Sequence, residues 1–143
     1  MARFPIEYEV EVERCDNRSY ELLAGNRPRI MTGPPIEFGG SDAWWSPEHL
    51  LVSAVSSCFA ATFFASAERA HLPIGGYHCH AKGVLDRTES GAAFTSILLA
   101  VRVRVTAPET QRARELLEGT KKRCFVANSL KCSVDLVTEV DPS

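Results

Sequence analysis

Ser46-Pro-Glu-His-Leu-Leu-Val-Ser-Ala-Val-Ser-Ser-Cys58-Phe-Ala-Ala-Thr-Phe-Phe-Ala-Ser-Ala67 decides how the rest of the chain must be arranged. Ser46 suits an N-cap, Pro47 the first helical position and Glu48 the first turn, so a helix starts here. No charged residue stands between Leu50 and Ala67. Leu51, Ala54, Val55, Cys58, Phe59, Thr62 and Phe63 fall on one helical face, but the opposite face is largely apolar as well. A helix apolar all round is buried on all sides or spans a membrane. Its length approaches that needed to cross a bilayer. Four serines, a threonine and a cysteine dilute it, however, and no basic cluster precedes it. A central core helix is the expectation.

The flanks supply what such a helix would cover. Residues 6–13, Ile-Glu-Tyr-Glu-Val-Glu-Val-Glu, alternate with period two and predict a half-buried strand. Asp16-Asn17 marks a turn, and Tyr20-Glu-Leu-Leu a returning strand. Residues 25–46 are irregular, with a short apolar piece at Ile30-Met31. Pro73 and Gly75-Gly76 end the helix. Tyr77–Leu85 and Phe94–Val105 then form a hairpin around Glu89-Ser90-Gly91. The continuous run Leu98-Leu-Ala-Val101 makes the second of these strands central. Pro108 opens another helix with Ala113, Leu116 and Leu117 inward. A short helix-like segment covers Cys124–Leu130, and Ser133–Val140 is a closing edge strand. One α+β domain over 1–143 is expected, with no linker or repeat.

Composition narrows the function. The 143 residues hold 45% hydrophobic and 24% charged residues, an ordinary globular mix. A net charge of −2 and the lack of charged tails give no footprint for nucleic acid. No secretory signal precedes Ile6. The five cysteines are odd in number and widely spaced, without Cys-x-x-Cys, which fits a reducing, cytoplasmic setting.

Each chemical candidate carries a bland alternative. Cys58, mid-helix, is either a nucleophile or a small buried hydrophobe. It follows Glu48 by ten residues, within a quarter turn but about 15 Å along the axis, so contact needs a kink or a mediating residue. Cys124 follows Lys121-Lys122-Arg123 and opens a short helix. Cations and helix dipole there favour thiolate, unless the stretch is merely solvated. Cys15 is incidental. His78 and His80 share a strand face opposite Cys79, too few ligands for a metal, so none is expected. Trp44 and Trp45 either cap the core or wall an apolar pocket with Phe59 and Phe63.

Pro34-Pro-Ile-Glu-Phe-Gly-Gly-Ser-Asp42, the Pro47-Glu48-x-Leu-Leu run with Cys58 ten residues after the acid, and Cys124-Phe-Val-Ala-Asn-Ser-Leu130 together resemble the OsmC/Ohr family (osmotically inducible protein C-like and organic hydroperoxide resistance proteins). The resemblance covers nearly the whole chain. It implies antiparallel sheets wrapped around the long helix and an intertwined homodimer. It implies a cytoplasmic peroxidase that reduces organic hydroperoxides. Cys58 would become sulfenic acid and then form a disulfide with Cys124. Glu48 would hold an arginine, Arg29 or Arg14, against the Cys58 thiolate. A dithiol, such as lipoyl groups, would recycle the enzyme without a cofactor. The alternative within the same family is a stress-response or ligand-binding dimer with little turnover. The residue after the second cysteine, commonly proline in the family, is Phe125 here.

Overall fold

The computed structural model describes residues 2–143, which form two compact units divided between Leu51 and Val52. The first contains a three-stranded antiparallel sheet, β1 (Glu11–Arg14), β2 (Tyr20–Leu23) and β3 (Ile30–Thr32), in that order. β2 stands where the returning strand was expected. β1 is shorter than the period-two pattern of residues 6–13 suggests. Ile6, Tyr8, Val10 and Val12 are 40%, 86%, 62% and 62% exposed, so among the described residues nothing covers the apolar side of that pattern. Only the part that pairs with β2 is ordered as a strand, held by that pairing and not by burial.

Helix α1 (Pro47–Arg69) begins as its sequence specifies. The Ser46 hydroxyl accepts the His49 amide proton at 3.1 Å, and Pro47 takes the first position. At the other end His71 turns left-handed (φ 51°). The Leu72 amide reaches back to the Ala67 carbonyl at 2.9 Å, a Schellman closure made without glycine.

The second unit packs the larger part of α1 against a sheet of β4 (Gly76–Thr88), β5 (Gly91–Val105) and β6 (Ser133–Pro142). Val55, Phe59, Phe63 and Ala67 follow at four-residue intervals and are at most 2% exposed. They share one core with Ile97, Leu99, Val101, Val103 and Val105 from the inward face of β5, and with Ala113 and Leu117 from α2 (Thr110–Arg123). β5 is central, as its apolar run requires. One pairing departs from the antiparallel expectation: β6 runs parallel to β5, from Ser96↔Ser133 to Val105↔Pro142. A parallel partner needs a crossover, and α2 with the one-turn α3 (Phe125–Asn128) supplies it. Pro108 lies in a 3-10 turn, Ala107–Glu109, ahead of α2.

α1 is long and apolar enough to cross a membrane by length and composition. It is not covered on every side. Ser57, Ala61, Phe64 and Ala65 face outward, with Phe64 42% exposed.

Candidate functional site

Cys58 and Cys124 meet although one stands mid-helix and the other in the crossover. Cys58 belongs to the edge of the α1 face that enters the core. Cys124 ends α2 in an extended conformation (φ −74°, ψ 105°), which turns its side chain inward and starts α3. Cys124 is 1% exposed, whereas Cys58 is half-buried. Cys124 Sγ lies 3.9 Å from the Val55 carbonyl oxygen, within reach for a thiol donor. Cys58 packs against the core to which Cys124 belongs, and each thiol influences the other's acidity.

The pair is electrostatically unequal. Burial pushes the Cys58 thiol up, but hydrogen bonds from the Val126 amide, the Cys124 thiol, the Thr62 hydroxyl and the Phe125 amide outweigh it, leaving Cys58 below the ordinary thiol value. Cys124 moves the other way. Its burial raises it, and the bond and charge of Cys58 raise it further, against the amides of Ala127 and Val126. Three neighbouring cations were expected to favour a Cys124 thiolate. They do not, because Lys121, Lys122 and Arg123 are exposed while the sulfur points into the core. Arg123 instead donates to the Ser66 hydroxyl at 2.9 Å. The Thr62 hydroxyl donates to the Cys58 carbonyl oxygen at 2.8 Å, one turn along the helix. Nothing in the sequence marked Thr62, beyond its place one turn after Cys58.

Tyr77 stands beside this pair. Its ring stacks on Phe63 (centroids 5.8 Å apart, 28° between planes) and tilts against Phe64 at 5.2 Å. Its hydroxyl is buried and has no hydrogen-bond partner among the described residues. Burial holds its phenol proton on, and charge on Cys79 or Cys124 would hold it more firmly. Cys79, on the same face of β4, is pushed up by burial alone.

The remaining sequence candidates lie as follows. Glu48 Oε1, in the first turn of α1, is buried with no hydrogen-bond partner among the described residues. Arg29 pairs with Glu21 at 3.0 Å. Arg14 donates to the Asp16 carbonyl at 2.9 Å and to Asn17 at 2.6 Å, closing its own turn. Neither makes an ion pair with Glu48 among the described residues. Arg18, which the sequence did not single out, donates to the Gly39 carbonyl at 2.8 Å and steadies the Gly39-Gly40 loop.

Trp44 and Trp45 line a cleft of about 530 Å³ together with Pro35, Ile36, His49 and Glu37. Phe59 and Phe63 are elsewhere, 1% and 0% exposed inside the core. Gly33 is fitted under Trp44, where a Cβ would collide with the Arg18 carbonyl oxygen and Trp44 Nε1. Among the described residues no three His, Cys, Asp or Glu side chains converge on a metal position.

A family model described as OsmC-like protein matches residues 39–139, which span parts of both units. Solved structures agree with it. An OsmC-like protein of unknown function from Vibrio cholerae O1 biovar eltor superposes with a TM-score of 0.83, covering 95% of this chain and 99% of that one at 21% identity. An OsmC-like protein from Mycoplasma pneumoniae gives 0.80, with 95% and 98% covered at 17% identity. An organic hydroperoxide resistance protein from Elizabethkingia anophelis gives 0.72, with 96% and 99% covered at 20% identity. No curated protein sequence matches the chain significantly.

Proposed function

The chain belongs to the OsmC-like protein family, and we propose that it is a thiol peroxidase that reduces organic hydroperoxides through a Cys58 sulfenate and a Cys58–Cys124 disulfide. The observation that carries this reading is the contact between two free thiols whose acidities are shifted in opposite directions. A peroxidatic cysteine must be thiolate while a peroxide is present, and accessible to it. Cys58 is both lowered and the more open of the two. The resolving cysteine must wait as a thiol beside it, which is the condition of Cys124.

Cys58 thiolate attacks the outer peroxide oxygen. The O–O bond breaks, leaving Cys58 as sulfenic acid, and the alkoxide departs as alcohol after taking a proton from water. Cys124 then displaces the hydroxide to form the disulfide, and an external dithiol, such as a lipoyl group, returns both thiols. The buried, unpartnered oxygen of Glu48 supports its assignment as the acid that holds an arginine over the site. Arg29 or Arg14 would first have to leave Glu21 or its own turn.

Trp44 and Trp45 are proposed to receive the organic part of the substrate, while Phe59 and Phe63 belong to the core of the second unit. We read residues 1–143 as one domain and the working form as a cytoplasmic homodimer. The exposed Phe64 side of α1 and the uncovered row Ile6, Tyr8, Val10 and Val12 are apolar surfaces that a second copy would cover.

Peroxide consumption in the presence of a dithiol tests the reading, with tert-butyl and cumene hydroperoxides as substrates. A ligand-binding dimer with little turnover is the second reading. Both candidate arginines being engaged elsewhere, with a Trp-lined cleft present, favours it. Slow consumption by a protein that still binds apolar ligands would establish that second role.

A further inference from the structure

Cys124 stands at a joint. It is the single residue between α2 and α3, extended (φ −74°, ψ 105°) where both neighbours are helical, so its own two torsions aim its sulfur. In the proposed cycle that aim matters. The Cys124 thiol gives up its proton and its electron pair bonds to the Cys58 sulfur. The S–O bond of the sulfenic acid breaks, and the hydroxyl leaves with that proton as water. Such a bond forms only where the two Cα atoms stand about 4.4–6.8 Å apart. A joint free to swing outward would leave the sulfenic acid waiting.

The residue just before the joint is fastened to α1. Arg123 donates from its guanidinium to the Ser66 hydroxyl at 2.9 Å, and Ser66 is only 5% exposed. The Cys124 thiol reaches the Val55 carbonyl oxygen of the same helix at 3.9 Å. Val55 and Ser66 are eleven residues apart, which is about 16 Å along the axis and within about 20° of one face. Two consecutive residues are therefore held to one helix at points about three turns apart. One contact alone would be a pivot, and two so widely spaced fix an orientation. Beyond the joint, Asn128 Nδ2 donates to the Lys122 carbonyl at 3.1 Å and closes the angle between α2 and α3. Arg123 makes no ion pair among the described residues that would draw it elsewhere. We propose that Arg123 is the positioning residue for Cys124: its hydrogen bond to Ser66 keeps the resolving thiol turned toward α1.

The role rests on the thiol-peroxidase reading, but its first test needs neither peroxide nor disulfide. Arg69 also reaches the Ser66 oxygen, at 3.4 Å, so Arg123→Ala leaves that buried hydroxyl with a partner and the fold is expected to stand. Iodoacetamide labelling of Cys124 is timed in the full-length protein carrying Cys58→Ser. Arg123→Ala and Ser66→Ala should each speed it about tenfold, the weight of a hydrogen bond to a charged group. The double variant should go no faster than either single one, because both remove the same bond. Arg123→Lys, which can still donate to Ser66, should restore slow labelling. Cys79, half-buried in the same core, is the internal control. In the protein with Cys58 intact, equilibrium with reduced and oxidised glutathione should show the Cys58–Cys124 disulfide about tenfold less favoured in Arg123→Ala. Unchanged Cys124 labelling in Arg123→Ala, or additive effects in the double variant, would overturn the role of Arg123. Equal acceleration at Cys79 would show general loosening and overturn it too. A wild type that forms no Cys58–Cys124 disulfide would count against the peroxidase reading alone, with the labelling rates still deciding what Arg123 does.

Discussion

Cys58 and Cys124 each shift the other's acidity, Cys58 standing below and Cys124 above the ordinary thiol value. The pair is thereby made unequal. Sequence position alone makes no such distinction between them.

Cys58→Ser is expected to abolish peroxide reduction, since a hydroxyl cannot form a sulfenate. Cys124→Ser should complete one turnover and then accumulate sulfinate on Cys58. Intact-mass spectrometry after one and then several equivalents of peroxide separates the two. Full multi-turnover activity of either variant would remove the assigned roles.

The pH dependence follows from the same pair. Cys58 is held below the ordinary thiol value, so its alkylation should reach half its maximal rate at a lower pH than that of a free thiol. Thr62→Val and Cys124→Ala each remove a group that holds the Cys58 thiol down, so each should move that midpoint up. Iodoacetamide rates between pH 5 and 10 provide the measurement, and a midpoint unmoved by both substitutions would contradict the hydrogen-bond account.

Glu48→Ala should slow peroxide reduction and raise the Cys58 midpoint, because the proposed arginine loses its carboxylate. The alternative role, a first-turn acid that steadies the helix, predicts a loss of about 0.3–1 kcal/mol of stability with rate constants intact. Thermal unfolding and kinetics on one variant distinguish them.

Substrate preference should depend on apolar surface. An organic hydroperoxide gains about 0.8 kcal/mol per methylene removed from water, so four methylenes favour it over hydrogen peroxide by about two orders of magnitude in kcat/KM. Trp44→Ala or Trp45→Ala should narrow that gap by weakening the bulky substrates. Phe59→Ala and Phe63→Ala should act differently, costing about 3–5 kcal/mol of stability, because both rings are enclosed in the core. Comparable kcat/KM values for cumene hydroperoxide and hydrogen peroxide would rule out the pocket.

A homodimer is expected from light scattering at micromolar concentration. Phe64→Glu, on the open side of α1, should shift it toward monomer. A wild-type monomer that remains folded would end this proposal.

Local rules made much of the fold legible. Ser46 and Pro47 announced α1, and the alternation on either side of Glu89-Ser90 announced β4 and β5, each of which runs three residues further into the turn than its pattern suggested. What escaped was whatever depends on cover from elsewhere. Residues 6–10 carry the pattern of a strand but lack a surface to lie on, and the parallel return of β6 leaves no local trace. The site followed the same division. Cys58 and Cys124 were linked by their resemblance to a family and not by spacing. Lys121, Lys122 and Arg123 misled because charge along a sequence does not say which way a neighbouring side chain turns. Tyr77 was silent, since only packing shows that its hydroxyl lacks a partner.

The crossover between β5 and β6 also sets when the redox pair can exist. Cys58 leaves the ribosome well before Cys124, and Cys124 rides on the segment that must swing across before β6 can dock beside β5. That closure joins parts of the chain far apart in sequence, the slow class of folding event. Until it is complete, Cys58 lacks Cys124 and the amides of Phe125 and Val126. A half-folded chain therefore carries an ordinary thiol, and the lowered acidity of Cys58 arrives only with the crossover in place.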